Sequence, residues 1–394
     1  MSPEQAAAGN DRRFLFLYAL AWAGAAIAYT PFLTILLPVR VDLLAGTDNV
    51  RWLAATTFLG AIAASLANIL FGWLSDVTGH RRLWVAIGLL LSSGLLCFFP
   101  HIERLGPLLL LILLWQMALN MMLGPLAAWA GDCVPDRQKG RLGGLLACAP
   151  ASGALAGALV TVPGLADPPW RFAMVGMMAM ACVLPLLLLG PSGRVATRRL
   201  HCAAIAPLPW LRAMITRMWC ARLLVQIAEA ALFAYLYFWF QTIDTRFDDA
   251  ITARILTMVL FLAAPCALIA GRWADRRDRP IAPLCIAALI AAIGLTAMAL
   301  ARGPVAAIAG FMLFGLSTNI FLALHSAQTL RVLPDDGRRG RNLGLFNLTN
   351  TVPSLIMPSL TLVLVPTLGF AGLFGVLALL SAIAAILLRD TGGR

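Results

Sequence analysis

Of the 18 carboxylates in this 394-residue chain, 17 fall in or beside polar stretches, and Glu229 alone sits deep inside an apolar one. That stretch runs from Met218 to Phe240, with Glu229 as its twelfth residue of 23. In a helix crossing a bilayer, an ionised side chain at this depth costs about 2.5–3.5 kcal/mol. A carboxyl there is a candidate for taking up and releasing a proton. Arg222, Gln226 and Tyr237 recur at helical spacing on the same face. Arg222 opposes protonation of Glu229 when close, so a movement that alters their distance would couple the proton to access. The competing reading is a fixed contact between Glu229 and Arg222 or Gln226 with no proton traffic. His325, near the end of another apolar stretch, is either a further stop on a proton route or a hydrogen-bond partner only.

Other polar side chains interrupt apolar stretches: Tyr18, Trp22 and Tyr29; Gln116 and Asn120; Thr318 and Gln328; Asn347, Asn350 and Ser354. Exposing an amide to lipid is costly, so these should face inward. Each alone can serve as an interhelical hydrogen bond. As a set they describe a cavity of amides, hydroxyls and aromatics with little net charge. Such a cavity suits a neutral polar or amphipathic solute such as a sugar or glycoside, whose hydroxyls pair with amides while aromatic faces cover its apolar side. Arg254 could instead bind an anion, although Asp248 and Asp249 nearby point to an ion pair.

The elements that must position these residues follow from composition. The chain is 61% apolar and only 12% charged, about half the charged share of a soluble domain. Its mean hydropathy is +0.86. These values exclude a soluble enzyme. Cutting at charge clusters and Pro/Gly turns predicts an all-α membrane protein with twelve spans: 14–39, 52–74, 83–100, 107–130, 142–163, 171–190, 218–240, 250–270, 281–301, 304–330, 343–365 and 370–388. The first apolar stretch is too long for a signal-peptide core and is expected to remain as a span. Alternate loops divide the basic residues unequally, with 22 on one side, six on the other and two within helices. The positive-inside rule then places both termini in the cytoplasm of a multi-pass protein of the plasma (inner) membrane. The net charge of +12 therefore anchors loops, and no nucleic-acid partner is expected. Eight scattered cysteines without a CxxC pair and four scattered histidines suggest neither a disulfide framework nor a metal site.

The chain also repeats itself. GWLSD, from Gly72 to Asp76, recurs as GRWAD, from Gly271 to Asp275, at an offset of 199. VPDRQKGRLGG, from Val134, recurs as LPDDGRRGRNLG, from Leu333, at nearly the same spacing. Two matches at one offset indicate a duplicated six-helix unit. The expected organisation is a tail at 1–13, a first half at 14–190, a basic linker at 191–217, a second half at 218–388 and a tail at 389–394. Repeats joined in this way place a binding site between the halves near the membrane midplane.

On these motifs the sequence resembles the major facilitator superfamily of transporters, over essentially its whole length. That family's loop signature after helix 2, GxxxD[RK]xxGR[RK], is similar to Gly72, Asp76, His80, Arg81 and Arg82, and its second copy to Gly271, Asp275, Arg276 and Arg279. Val77 replaces the usual basic residue, and His80 is inserted before Arg81 and Arg82. The resemblance implies twelve helices in two six-helix repeats around a central cavity lined by helices 1, 4, 7 and 10. It also implies that Asp76 latches a cytoplasmic gate near the start of helix 11. The segments from Gly124 to Arg141 and from Gly340 to Pro358 resemble the sugar-cation and sucrose-type branch. The efflux signature GPxxGG survives only as Ala149, Pro150, Gly153 and Ala154, and helix 4 has no internal arginine.

The expectation is a secondary transporter, without cofactor or metal, that moves a small solute with protons by alternating access and works as a monomer in lipid. Symport is favoured and efflux antiport stays open. An ATP-driven pump would need GxxxxGK[ST], which the chain lacks. A membrane enzyme would gather acid-base or metal groups at one face, and a non-transporting receptor would differ only in flux.

Overall fold

The computed structural model describes residues 3–45, 49–135, 138–162, 164–191, 209–244, 246–247, 249–277, 279–333 and 339–389. The helices in chain order are α1 (Pro3–Pro31), α2 (Leu37–Ala45), α3 (Asn49–Thr78), α4 (Arg81–Leu96), α5 (Leu105–Cys133), α6 (Lys139–Leu146), α7 (Cys148–Val160) and α8 (Pro168–Leu189). They continue as α9 (Pro209–Ile243), α10 (Asp249–Arg277), α11 (Ala282–Leu300), α12 (Pro304–Val332) and α13 (Arg339–Arg389). The protein is all-α. Among the described residues ten segments are long and apolar enough to cross a membrane, with α1 and α2 forming one of them and α6 and α7 another. α9 and the part of α13 before residue 363 complete the twelve. These two carry Arg222, Gln226, Glu229, Asn347 and Asn350, which lower their apolarity.

The interruptions have local causes. Pro31 lacks an N–H and crowds the preceding turn, and the chain passes through a π-helical turn, Phe32–Leu36, before α2 resumes. α13 is two helices in sequence, because Gly369 has φ 66° and ψ −175°, a conformation that a side chain would resist. The expected spans 343–365 and 370–388 are recovered on either side of it. α9 starts at Pro209 rather than at Met218, since PWLRAMITR opens with proline at the first helical position and continues in residues that tolerate a helix. Residues 192–208 of the expected linker and residues 390–394 of the expected tail lie outside the described residues.

The chain forms two compact units. One gathers α1 to α5, α7, α8 and the first turns of α13. In its core Phe32 packs against Trp115 and Phe99, at 4.4 and 4.6 Å between ring centroids. The other gathers α6, α9 to α12 and the remainder of α13, around Trp239, Phe240, Phe311 and Phe374.

Candidate functional site

Arg222, Gln226 and Glu229 occupy the middle of α9 at spacings of four and three residues, so they form one stripe on its surface. All three are half-buried. Arg222 turns toward α12 and α13. Its guanidinium donates to Ser326 Oγ at 3.0 Å and to Asn350 Oδ1 at 3.2 Å, and lies 3.4 Å from His325 Nδ1. Every one of these partners is uncharged. Glu229 lies two turns further on, about 10 Å along the axis. The charges of the two residues interact, but no ion pair joins them among the described residues. Gln226 and Glu229 make no side-chain hydrogen bond among the described residues.

His325 is fully buried and oriented at both nitrogens. Its Nε2 faces the Met218 carbonyl at 3.0 Å. A carbonyl only accepts, so Nε2 carries the hydrogen and Nδ1 is left as an acceptor toward Arg222. Thr329, one turn along α12, donates to the His325 carbonyl at 2.9 Å and lies 3.2 Å from Nδ1. His325 thus braces Arg222 against α12. The structure gathers Arg222, His325 and Asn350, from three helices, around one guanidinium.

Tyr18, 1% exposed, stacks on Trp22 at 6.1 Å within α1, whereas Tyr29 is exposed. Asn120 is engaged by Asn68, whose Nδ2 donates to its Oδ1 at 3.0 Å, and itself donates to the Gln116 carbonyl at 2.9 Å. That pair ties α3 to α5. Thr318 is buried, and its hydroxyl has no hydrogen-bond partner among the described residues. Asn347 is half-buried in α13. The side chain of Tyr237 lies outside the described residues. Among the described residues no group of three His, Cys, Asp or Glu could hold a metal ion.

Two related clusters sit where helices meet the basic loops. In the first unit, Asp76 is 2% exposed and accepts the N–H of Gly340 at 2.9 Å and that of Arg341 at 3.0 Å. These are the first turn of α13, where free N–H groups and the helix dipole favour a carboxylate. Arg81 pairs with Asp76 at 2.6 Å and with Asp132 at 3.0 Å. Arg339 spans Asp132, at 3.1 Å, and the Gly131 carbonyl, at 2.6 Å. In the second unit, Asp275 accepts the N–H groups of Gly140 at 3.1 Å and Arg141 at 2.9 Å, at the start of α6. Arg331 pairs with Asp275 at 2.6 Å, and Lys139 donates to the Leu330 carbonyl at 2.8 Å. Gly72 against Gly340 and Gly271 against Gly140 bring backbones into direct contact, and a Cβ on any of the four would collide with the facing carbonyl.

The repeat carries over in geometry but not in charge. Asp132 and Arg331 are 199 residues apart and opposite in sign, and the position matching Arg81 is Pro280. The second cluster therefore takes its cation from the end of α12. Arg82 and Arg276 are exposed and join neither cluster. Asp132, Arg339, Arg331, Lys139 and Ser326 were not among the sequence candidates. Aligning the two repeats would have flagged the first four, since Lys139 and Arg339 match at 200. Ser326, an ordinary serine beside His325, carried no such signal.

The sequence profile of the Major Facilitator Superfamily matches residues 14–316 and 218–391. Curated protein sequences give no match. Among solved structures, the human organic anion transporter MFSD10 (TETRAN) is similar at a TM-score of 0.77 and 14% identity, over 96% of this chain and 99% of that one. The proton:xylose symporter XylE is similar at 0.75 and 11% identity, over 96% of each chain. A bacterial homologue of the iron transporter ferroportin, in an outward-facing state, is similar at 0.73 and 16% identity, over 98% of this chain and 99% of that one.

Proposed function

Because this chain belongs to the major facilitator superfamily, we propose that it is a secondary active transporter, moving a small organic solute across the plasma membrane by alternating access in symport with protons. The observation that carries the coupling is Glu229, a half-buried carboxyl at the middle of a spanning helix with no hydrogen-bond partner among the described residues. An ionisable group kept at this depth without a hydrogen bond is costly, and carrying a proton gives it a use. Arg222 is braced by His325, Ser326 and Asn350, so in this reading the proton moves while the guanidinium stays. The carboxylates and arginines on α10, α12 and α13 lie within about two turns of a helix end, and the other titratable groups there are His325 and the Cys266 thiol, which leaves Glu229 as the carboxyl deep in a span and, in this reading, the carrier. A proton symporter, XylE, has the same fold.

In this reading the Asp76 and Asp275 clusters serve the cytoplasmic gate, each binding helix ends within its own unit. The test is solute-driven proton movement in proteoliposomes across a panel of sugars, glycosides, organic anions and lipophilic cations. Wild-type protein is expected to acidify the lumen as solute enters. Glu229→Gln is expected to exchange solute but to accumulate none under a pH gradient. Equal proton-driven accumulation by both proteins would remove Glu229 from the mechanism.

A further inference from the structure

The middle of α9 holds an arginine whose contacts account for its hydrogen bonds but not for its charge. A guanidinium inside a membrane is normally matched by a carboxylate or phosphate. Arg222 instead meets a hydroxyl, an amide oxygen and an imidazole nitrogen, and no ion pair joins it to Glu229 among the described residues. Between the two lies Gln226, half-buried and without a hydrogen bond among the described residues. The stripe therefore presents a fixed cation, an unpaired amide and an unpaired carboxyl in succession, and Asn350 beside Arg222 is exposed.

We infer that Arg222 receives the anionic group of the transported solute, so that one monoanion, such as an organic carboxylate, crosses together with the one proton carried by Glu229. The inference rests on the proton-symport reading above and names its substrate class. Charge balance supplies the coupling. Empty, the stripe holds Arg222 as a cation and Glu229 as an anion, with no net charge. Loaded, it holds the cation, the bound carboxylate and a protonated Glu229, again with no net charge. With the anion alone it carries one negative charge, and with the proton alone one positive charge, and both forms are penalised within a low-dielectric span. Only the empty and fully loaded forms reorient easily, which enforces one proton per anion. The neutral solute expected from the amides and aromatics leaves Arg222 uncompensated whenever Glu229 is protonated.

The test uses the purified full-length protein with two probe pairs that differ in charge and little in shape: glucuronate with glucose, and benzoate with benzamide. In wild type the anion of at least one pair should bind about tenfold more tightly than its neutral counterpart. Its accumulation in proteoliposomes should follow the pH gradient, generate no current and ignore a potential imposed with valinomycin. Arg222→Gln should remove the preference for the anion. Arg222→Lys, which keeps the charge and guards against a folding defect, should retain part of it. Glu229→Gln should still bind and exchange the anion while losing pH-driven accumulation. Failure of both anions to bind, equal or tighter binding of the neutral member, or an anion preference that survives in Arg222→Gln overturns the inference. Proton-coupled uptake of glucose with a current keeps the transporter and sinks the anion site, whereas absence of exchange across the wider solute panel sinks the transporter reading itself.

Discussion

At the scale of single residues, position in the helix determines what a polar group can do. His325 and Glu229 are both ionisable residues inside spans, yet one is held at both ring nitrogens and the other by no hydrogen bond among the described residues. This difference predicts different responses to isosteric change. A glutamine at 325 can donate to the Met218 carbonyl and accept from Arg222, so His325→Gln should transport with an unchanged pH profile. His325→Leu leaves a buried carbonyl and a guanidinium N–H short of partners, at a cost of about 1–3 kcal/mol, and should lower both thermal stability and uptake. A pH profile displaced in His325→Gln would show that the histidine carries a proton.

At the scale of elements, the two carboxylate clusters differ in burial. Asp76 and Arg81 are each 2% exposed, whereas Asp275 and Arg331 are each 13% exposed. Removing one partner of a buried pair costs about 3–5 kcal/mol, because the charge left behind is uncompensated. Asp76→Asn strands Arg81 and Arg339 with Asp132 alone, so it should lower the melting temperature in detergent more than Asp275→Asn does. Equal losses would mean that the N–H contacts, which both clusters share, outweigh the ion pairs. The glycine seam gives a second expectation. Gly72→Val drives a side chain into the Gly340 backbone, an overpacking cost of about 1–3 kcal/mol. It should separate α3 from the start of α13, seen as faster thiol labelling of a cysteine introduced at Asn342.

At the scale of the whole molecule, charge placement orients the chain. With 22 of 30 basic residues bordering one side, both termini are expected in the cytoplasm. A green fluorescent protein fused after Arg394 should fluoresce, and alkaline phosphatase inserted near Arg246 should be active. The opposite pattern would invert the topology and move both carboxylate clusters to the outer face. Duplication also lets one geometry be built twice from different residues, since the cation beside Asp76 comes from α4 and the cation beside Asp275 from α12.

The sequence by itself determined the class, the twelve helices, the break between the last two spans and the repeat, because hydropathy over about 20 residues, glycine and proline breaks, and a fixed offset of 199 are properties of the chain in order. It also marked Glu229, since a lone carboxylate in an apolar run is visible without coordinates. What lies beside Glu229 and Arg222 was not legible. Ser326 and Asn350 are more than a hundred residues from Arg222 in sequence, and neither helical periodicity nor composition encodes which faces of α9, α12 and α13 meet. Nor does the order of residues tell that Asp132 meets Arg81, 51 residues away, or that Arg331 meets Asp275, 56 residues away. Only tertiary packing decided that the Arg222 guanidinium would meet Ser326, Asn350 and His325, because those contacts depend on which helix faces pack together and not on the order of residues along the chain.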